Sequence, residues 1–99
     1  METIGQRFKR IRTEKGLSQS DFGTELGMLK SGISAVENDK VFVSVDVLRS
    51  LFLNFNINLN WLICGQQNMH NKIPITYEQV KDDFEAKVEE VLKKKGLIL

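Results

Sequence analysis

Residues 17–38, LSQSDFGTELGMLKSGISAVEN, constrain the fold more than any other stretch of this chain. They read as two short helices that meet at a tight turn. Ser18 is placed to cap the first helix, with Asp21 three residues on, where an acid can reach back to the cap. Phe22 and Leu26 stand four apart and share one helical face. Gly27 follows Leu26 directly, where a helix stops through a left-handed residue. Gly23 removes a side chain where two helices can touch closely. Ile33 and Val36, three apart, mark the buried face of the second helix and leave it a small, polar outer face.

Two helices joined by a short Gly-bearing turn describe a helix-turn-helix. The region 4–65 resembles the Cro and phage-repressor type of that domain, the xenobiotic-response-element family. The matching residues are Arg12, Gly16-Leu17-Ser18-Gln19, Leu26-Gly27, Ile33-Ser34, Glu37-Asn38, Asn60-Trp61-Leu62 and Gly65. The resemblance implies an all-α fold, a five-helix lambda-repressor-like DNA-binding domain over residues 1–66. A polar stretch, 67–75, reads as a linker, and 76–99 as an amphipathic C-terminal helix. The partner implied is double-stranded DNA, bound by a homodimer acting as a repressor at a pseudo-palindromic operator.

The first helix should begin after Thr3 as its cap, run over residues 4–15 and stop at Gly16. Ile4, Phe8 and Ile11 form its core stripe, so Arg7, Arg10 and Lys15 should face outward. The resemblance pairs Arg12 with Glu37, late in the third helix, to set the angle between helices without touching bases. It also assigns Gln19, in the first turn of the second helix, to a DNA phosphate. A helix N-terminus favours such an anion, because its free N–H groups and dipole point outward.

The third helix, 29–38, is the candidate recognition helix. With Ile33, Val36 and Glu37 turned inward, Lys30, Ser31, Ser34 and Ala35 remain to face a groove. Lysine can donate to guanine, serine can donate or accept, and alanine can touch a thymine methyl. The family's base-reading positions map onto these four, and Asn38 matches a phosphate-bonding residue. Lys40 is the one basic residue in 39–43, where relatives often carry Gly, basic residues and Pro. The segment instead continues Val41-Phe42-Val43, which either enters the core or forms a patch for a partner. Leu29 stands where relatives often place a capping Ser or Thr, and Gly32 inside the helix costs roughly 1 kcal/mol against alanine.

Ser44 should cap a fourth helix carrying Val47, Leu48, Leu51, Phe52 and Phe55. Asn58 can cap a short fifth, 59–63, with Trp61 either in the core or near a dimer contact. Thr76 and Gln79 make a capping-box pattern for the last helix. Its stripe is Tyr77, Val80, Phe84, Val88, Val91 and Leu92, with Lys87 and Lys94 breaking any strict heptad. The stripe is expected to meet a second chain, with the domain's own flank as the alternative.

Net charge is only +1, so overall basicity does not announce a nucleic-acid partner, although Arg7, Lys9, Arg10, Arg12 and Lys15 crowd the first helix. A single cysteine, Cys64, rules out an internal disulfide and fits a reducing compartment. The start lacks the look of a signal peptide, and no apolar run approaches membrane-spanning length; a cytoplasmic protein without a membrane partner is expected. One His and one Cys leave no nucleophile–base set, and no phosphate-cradling glycine loop is present, so neither an enzyme nor a cofactor or metal site is expected. The rival reading is a protein-binding module, an antitoxin or anti-repressor partner built on the same fold.

Overall fold

The computed structural model describes residues 1–72 and 84–97. Among them it is all-helical: α1 (Ile4–Glu14), α2 (Gln19–Leu26), α3 (Lys30–Glu37), α4 (Val45–Asn54), α5 (Leu59–Cys64) and α6 (Phe84–Lys95). The chain divides into two compact units, 1–47 and 48–99, with the boundary inside α4. None of the described helices is long and apolar enough to cross a membrane. Tyr77, Val80, the cap at Thr76 and the tail residues Ile98 and Leu99 lie outside the described residues.

In the first unit the boundaries of α1 and α2 have local causes. Thr3 Oγ1 accepts from Gln6 N, and Gln6 Oε1 accepts from Thr3 N, a full capping box for α1. Ser18 Oγ accepts from Asp21 N and starts α2. Gly16 and Gly27 take φ of 71° and 70°, the left-handed conformation that lets α1 and α2 end and re-aim. The core is Phe8, Ile11, Phe22, Leu26, Ile33 and Val36, with the Phe8 and Phe22 rings 5.1 Å apart at 46°. Each such side chain contributes roughly 1.5–3 kcal/mol by leaving water.

Two expectations for α1 are corrected. Ile4 is only half-buried, whereas Arg7 is buried rather than outward and donates from Nη1 to Glu2 O at 2.7 Å. Gly5, not Ile4, occupies the tight position. A Cβ there would overlap Val36 O and come within 2.7 Å of Asp39 Oδ1, so only a glycine lets α1 approach the end of α3.

The second unit packs α6 against its own chain. Leu48, Leu51, Phe52, Phe55, Ile57, Leu59, Trp61, Leu62 and Ile63 are buried, and Phe84, Val88 and Val91 join them. The Phe84 ring lies 5.6 Å from Phe52, with the Arg49 guanidinium 5.1 Å above it. Lys94 Nζ donates to buried Asn60 Oδ1 at 2.7 Å, so one of the two lysines that break the heptad satisfies a polar group of its own unit. Trp61, Phe84, Val88 and Val91, the described residues expected to meet a second chain, are buried within this unit. Leu92 is half-buried.

The stretch expected to be a linker is also partly built in. Asn58 N donates to Met69 O at 2.7 Å, Asn71 N donates to Asn56 O at 3.0 Å, and Ile57 forms a bridge with His70. Asn58 holds both jobs at once: its Oδ1 caps α5 at Asn60 N while its Nδ2 donates to Gln67 Oε1.

Candidate nucleic-acid interface

The turn between α2 and α3 is three residues long, Gly27-Met28-Leu29, and it is tight. Met28 N donates to Gly23 O at 2.7 Å. A Cβ on Gly23 would overlap the Met28 carbonyl oxygen, so this glycine makes room for the turn itself rather than for a neighbouring helix.

α3 is then locked from behind. Glu37 is buried and accepts three hydrogen bonds. Arg12 Nε reaches Oε2 at 2.6 Å, Arg12 Nη2 reaches Oε1 at 3.1 Å, and Gln19 Nε2 reaches the same Oε1 at 3.1 Å. Arg12 Nη1 donates on to Leu17 O at 3.0 Å. One carboxylate thus joins α1, α2 and α3, and the bidentate geometry restricts rotation between them. The far end of α3 is fixed by Asp39, whose left-handed backbone (φ 60°) aims its carboxylate at the start of α1. Asp39 Oδ1 accepts from Gly5 N at 2.8 Å, and Oδ2 accepts from Thr3 Oγ1 at 2.6 Å. Asp39 is a tertiary cap that sequence reasoning missed. The available signal was an Asp directly after a helix, where a left-handed residue is wanted and Gly or Asn is usual.

With Ile33, Val36 and Glu37 inward, α3 presents Lys30 and Ser31 to solvent, next to an exposed Leu29. This is a short helix packed on α1 and α2 and tied down at its C-terminal end, with Lys30 and Ser31 at its N-terminal end left exposed, the geometry with which such a helix enters a major groove. A family model described as a helix-turn-helix domain matches residues 5–67. The chain belongs to the helix-turn-helix domain family. Comparison with curated proteins and with solved structures gave no match.

The helix-turn-helix frame sorts the residues singled out from sequence. Lys30, Ser31 and Lys40 are exposed. Ser34 and Ala35 are half-buried. Gln19 spends one amide hydrogen on Glu37. Asn38 folds back, its Nδ2 donating to Ser34 O at 2.8 Å as it closes α3. Of the basic residues crowding α1, Arg7 is buried and Arg12 is paired with Glu37, whereas Lys9, Arg10 and Lys15 are exposed, Arg10 in a surface pair with Glu2 at 2.6 Å. In the next segment Val43 is buried, while Val41 and Phe42 are 54% and 44% exposed. Leu29 opens α3 without a side-chain cap hydrogen bond.

Proposed function

We propose that this chain is a sequence-specific DNA-binding transcription regulator, a dimeric repressor whose α3 enters the major groove. The observation that carries the reading is the open face of Lys30 and Ser31 on a helix whose other faces are tied down by Glu37 and Asp39. A base-reading helix needs its angle set before contact, because every degree of looseness is entropy lost on binding. Lys30 and Ser31 read base edges, with Ser34 and Ala35 at the groove's margin. Lys40, the α2 N-terminus with Gln19, and Asn38 hold the phosphate backbone. Two copies read half-sites about one helical turn apart. The chain works in the cytoplasm and carries no catalytic step.

A second reading, a module that grips another protein, is favoured by one observation. Val41 and Phe42 are exposed apolar residues in the segment where the resemblance leads one to expect basic residues, and Val45, which opens α4, is exposed beside them in sequence. Selection of bound fragments from a random DNA pool decides between the two. A selected site with twofold symmetry supports the regulator, and the stoichiometry of the complex reports the dimer. An absence of affinity for any DNA at low salt, where phosphate contacts are strongest, overturns it in favour of the protein-binding module.

A further inference from the structure

Leu29 breaks two rules of its position at once. It is the N-cap of α3 yet has no side chain able to accept from the helix's free N–H groups. It is also a large apolar residue left 79% exposed, while its neighbour Met28 turns in and brings Cε within 3.4 Å of where a Cβ on Gly32 would lie. The same chain shows the ordinary solution at α2, where Ser18 caps through Asp21 N at 3.0 Å. A serine at position 29 would satisfy the helix and cover no less of the core. Departures from local consistency of this kind concentrate at functional sites.

Leu29 also directly precedes Lys30 and Ser31, the exposed pair at the head of α3. The N-terminal residues of such a helix are those that reach base edges. The apolar feature of the major groove is the C5-methyl group of thymine. We propose that Leu29 is a specificity-determining residue that packs on a pyrimidine C5-methyl in each half-site, beside the polar contacts of Lys30 and Ser31. This rests on the DNA-reading function proposed above. Burying a leucine side chain against a methyl repels any base that would leave a polar group facing it, so one methylated pyrimidine is selected at that step.

The test uses the full chain and its own selected DNA site. Each thymine of the site is replaced in turn by deoxyuridine, which deletes only the methyl. At one position per half-site the replacement weakens binding about fourfold, the worth of one buried methyl. In Leu29→Ser that same replacement has no effect, because the apolar partner is gone. Replacing cytosines by 5-methylcytosine separates the two sources of the group. A gain there, lost in Leu29→Ser, with no deoxyuridine effect, assigns methylcytosine instead of thymine. Methyl effects absent from the wild type, or retained in Leu29→Ser, overturn the proposal while leaving DNA binding intact. A chain that selects no DNA overturns both. Leu29→Ser should melt a few degrees higher than the wild type, so lost methyl discrimination in that variant is not lost folding.

Discussion

The carboxylate of Glu37 is the point where three helices meet, and Glu37→Gln tests it with almost no change of shape. The Glu37 side chain is 4% exposed and that of Arg12 13%. Both carboxylate oxygens already accept: Oε2 from Arg12 Nε, and Oε1 from Arg12 Nη2 and Gln19 Nε2. A carboxamide offers one oxygen and one NH2. Whichever way it turns, its NH2 faces an N–H donor, so at least one buried donor of Arg12 loses its acceptor and the guanidinium loses its counter-charge. Removing one partner of a buried pair costs about 3–5 kcal/mol. Arg12 keeps its bond to Leu17 O and the amide keeps one acceptor, which puts the loss at the low end, about 3 kcal/mol. For a domain of this size that lowers the melting temperature by roughly 12–24 °C. It moves the urea midpoint down by about 1.5 M, taking a slope near 2 kcal/mol per molar. Urea unfolding followed by far-ultraviolet circular dichroism reads it, and amide exchange at Ile33 and Asn38 reports whether α3 loosens first. The double change Arg12→Met with Glu37→Leu should recover most of the loss, since an apolar pair removes the stranded charge. A midpoint for Glu37→Gln within about 0.3 M of wild type would refute the argument, because no buried pair of this geometry loses so little.

Two glycines should respond in opposite directions. Gly23→Ala pushes a methyl into the Met28 carbonyl and should cost at least about 1–3 kcal/mol, whereas Gly32→Ala meets only the flexible end of Met28 and should gain about 0.5–1 kcal/mol; thermal melts of the two variants check the sign. Asp39→Ala should lose about 1–2 kcal/mol with its bonds to Gly5 N and Thr3 Oγ1, and Asp39→Gly should recover about half by relaxing the left-handed backbone, as chemical denaturation will show. On the selected DNA site, Lys30→Ala should flatten base preference at one position of each half-site. Lys40→Ala should weaken all sequences alike and reduce the magnitude of the salt slope by about 0.9 per copy, measured by binding titrations from low to physiological salt.

The bounds of α2, the caps at Thr3, Ser18, Ser44 and Asn58, and the stops at Gly16 and Gly27 were legible before any coordinates, as was the helix-turn-helix itself. Leu29's missing cap was legible too, although its exposure was not. The inward turn of Arg7 was not legible, because its position on the α1 wheel reads as outward until Glu2 O supplies a partner. The apolar run at 41–43 was ambiguous from sequence, and the structure divides it, burying Val43 and exposing Val41 and Phe42. For the last helix, an amphipathic stripe records that something apolar must cover it but not which chain does so. Phe52, Trp61 and Ile63 lie in the same buried core as Phe84, Val88 and Val91.

What the amino-acid order determined alone is the set of short-range choices: where each helix starts, stops and turns its apolar face. Those depend on groups three or four residues apart, whose geometry is set as soon as the helix forms. The tertiary structure alone decided which distant groups meet. Asp39 with Gly5, Asn60 with Lys94, and the third bond to Glu37 from Gln19 span from 18 to 34 residues. No local periodicity encodes such pairs, because they exist only after the packing of the apolar faces has chosen the angle between helices.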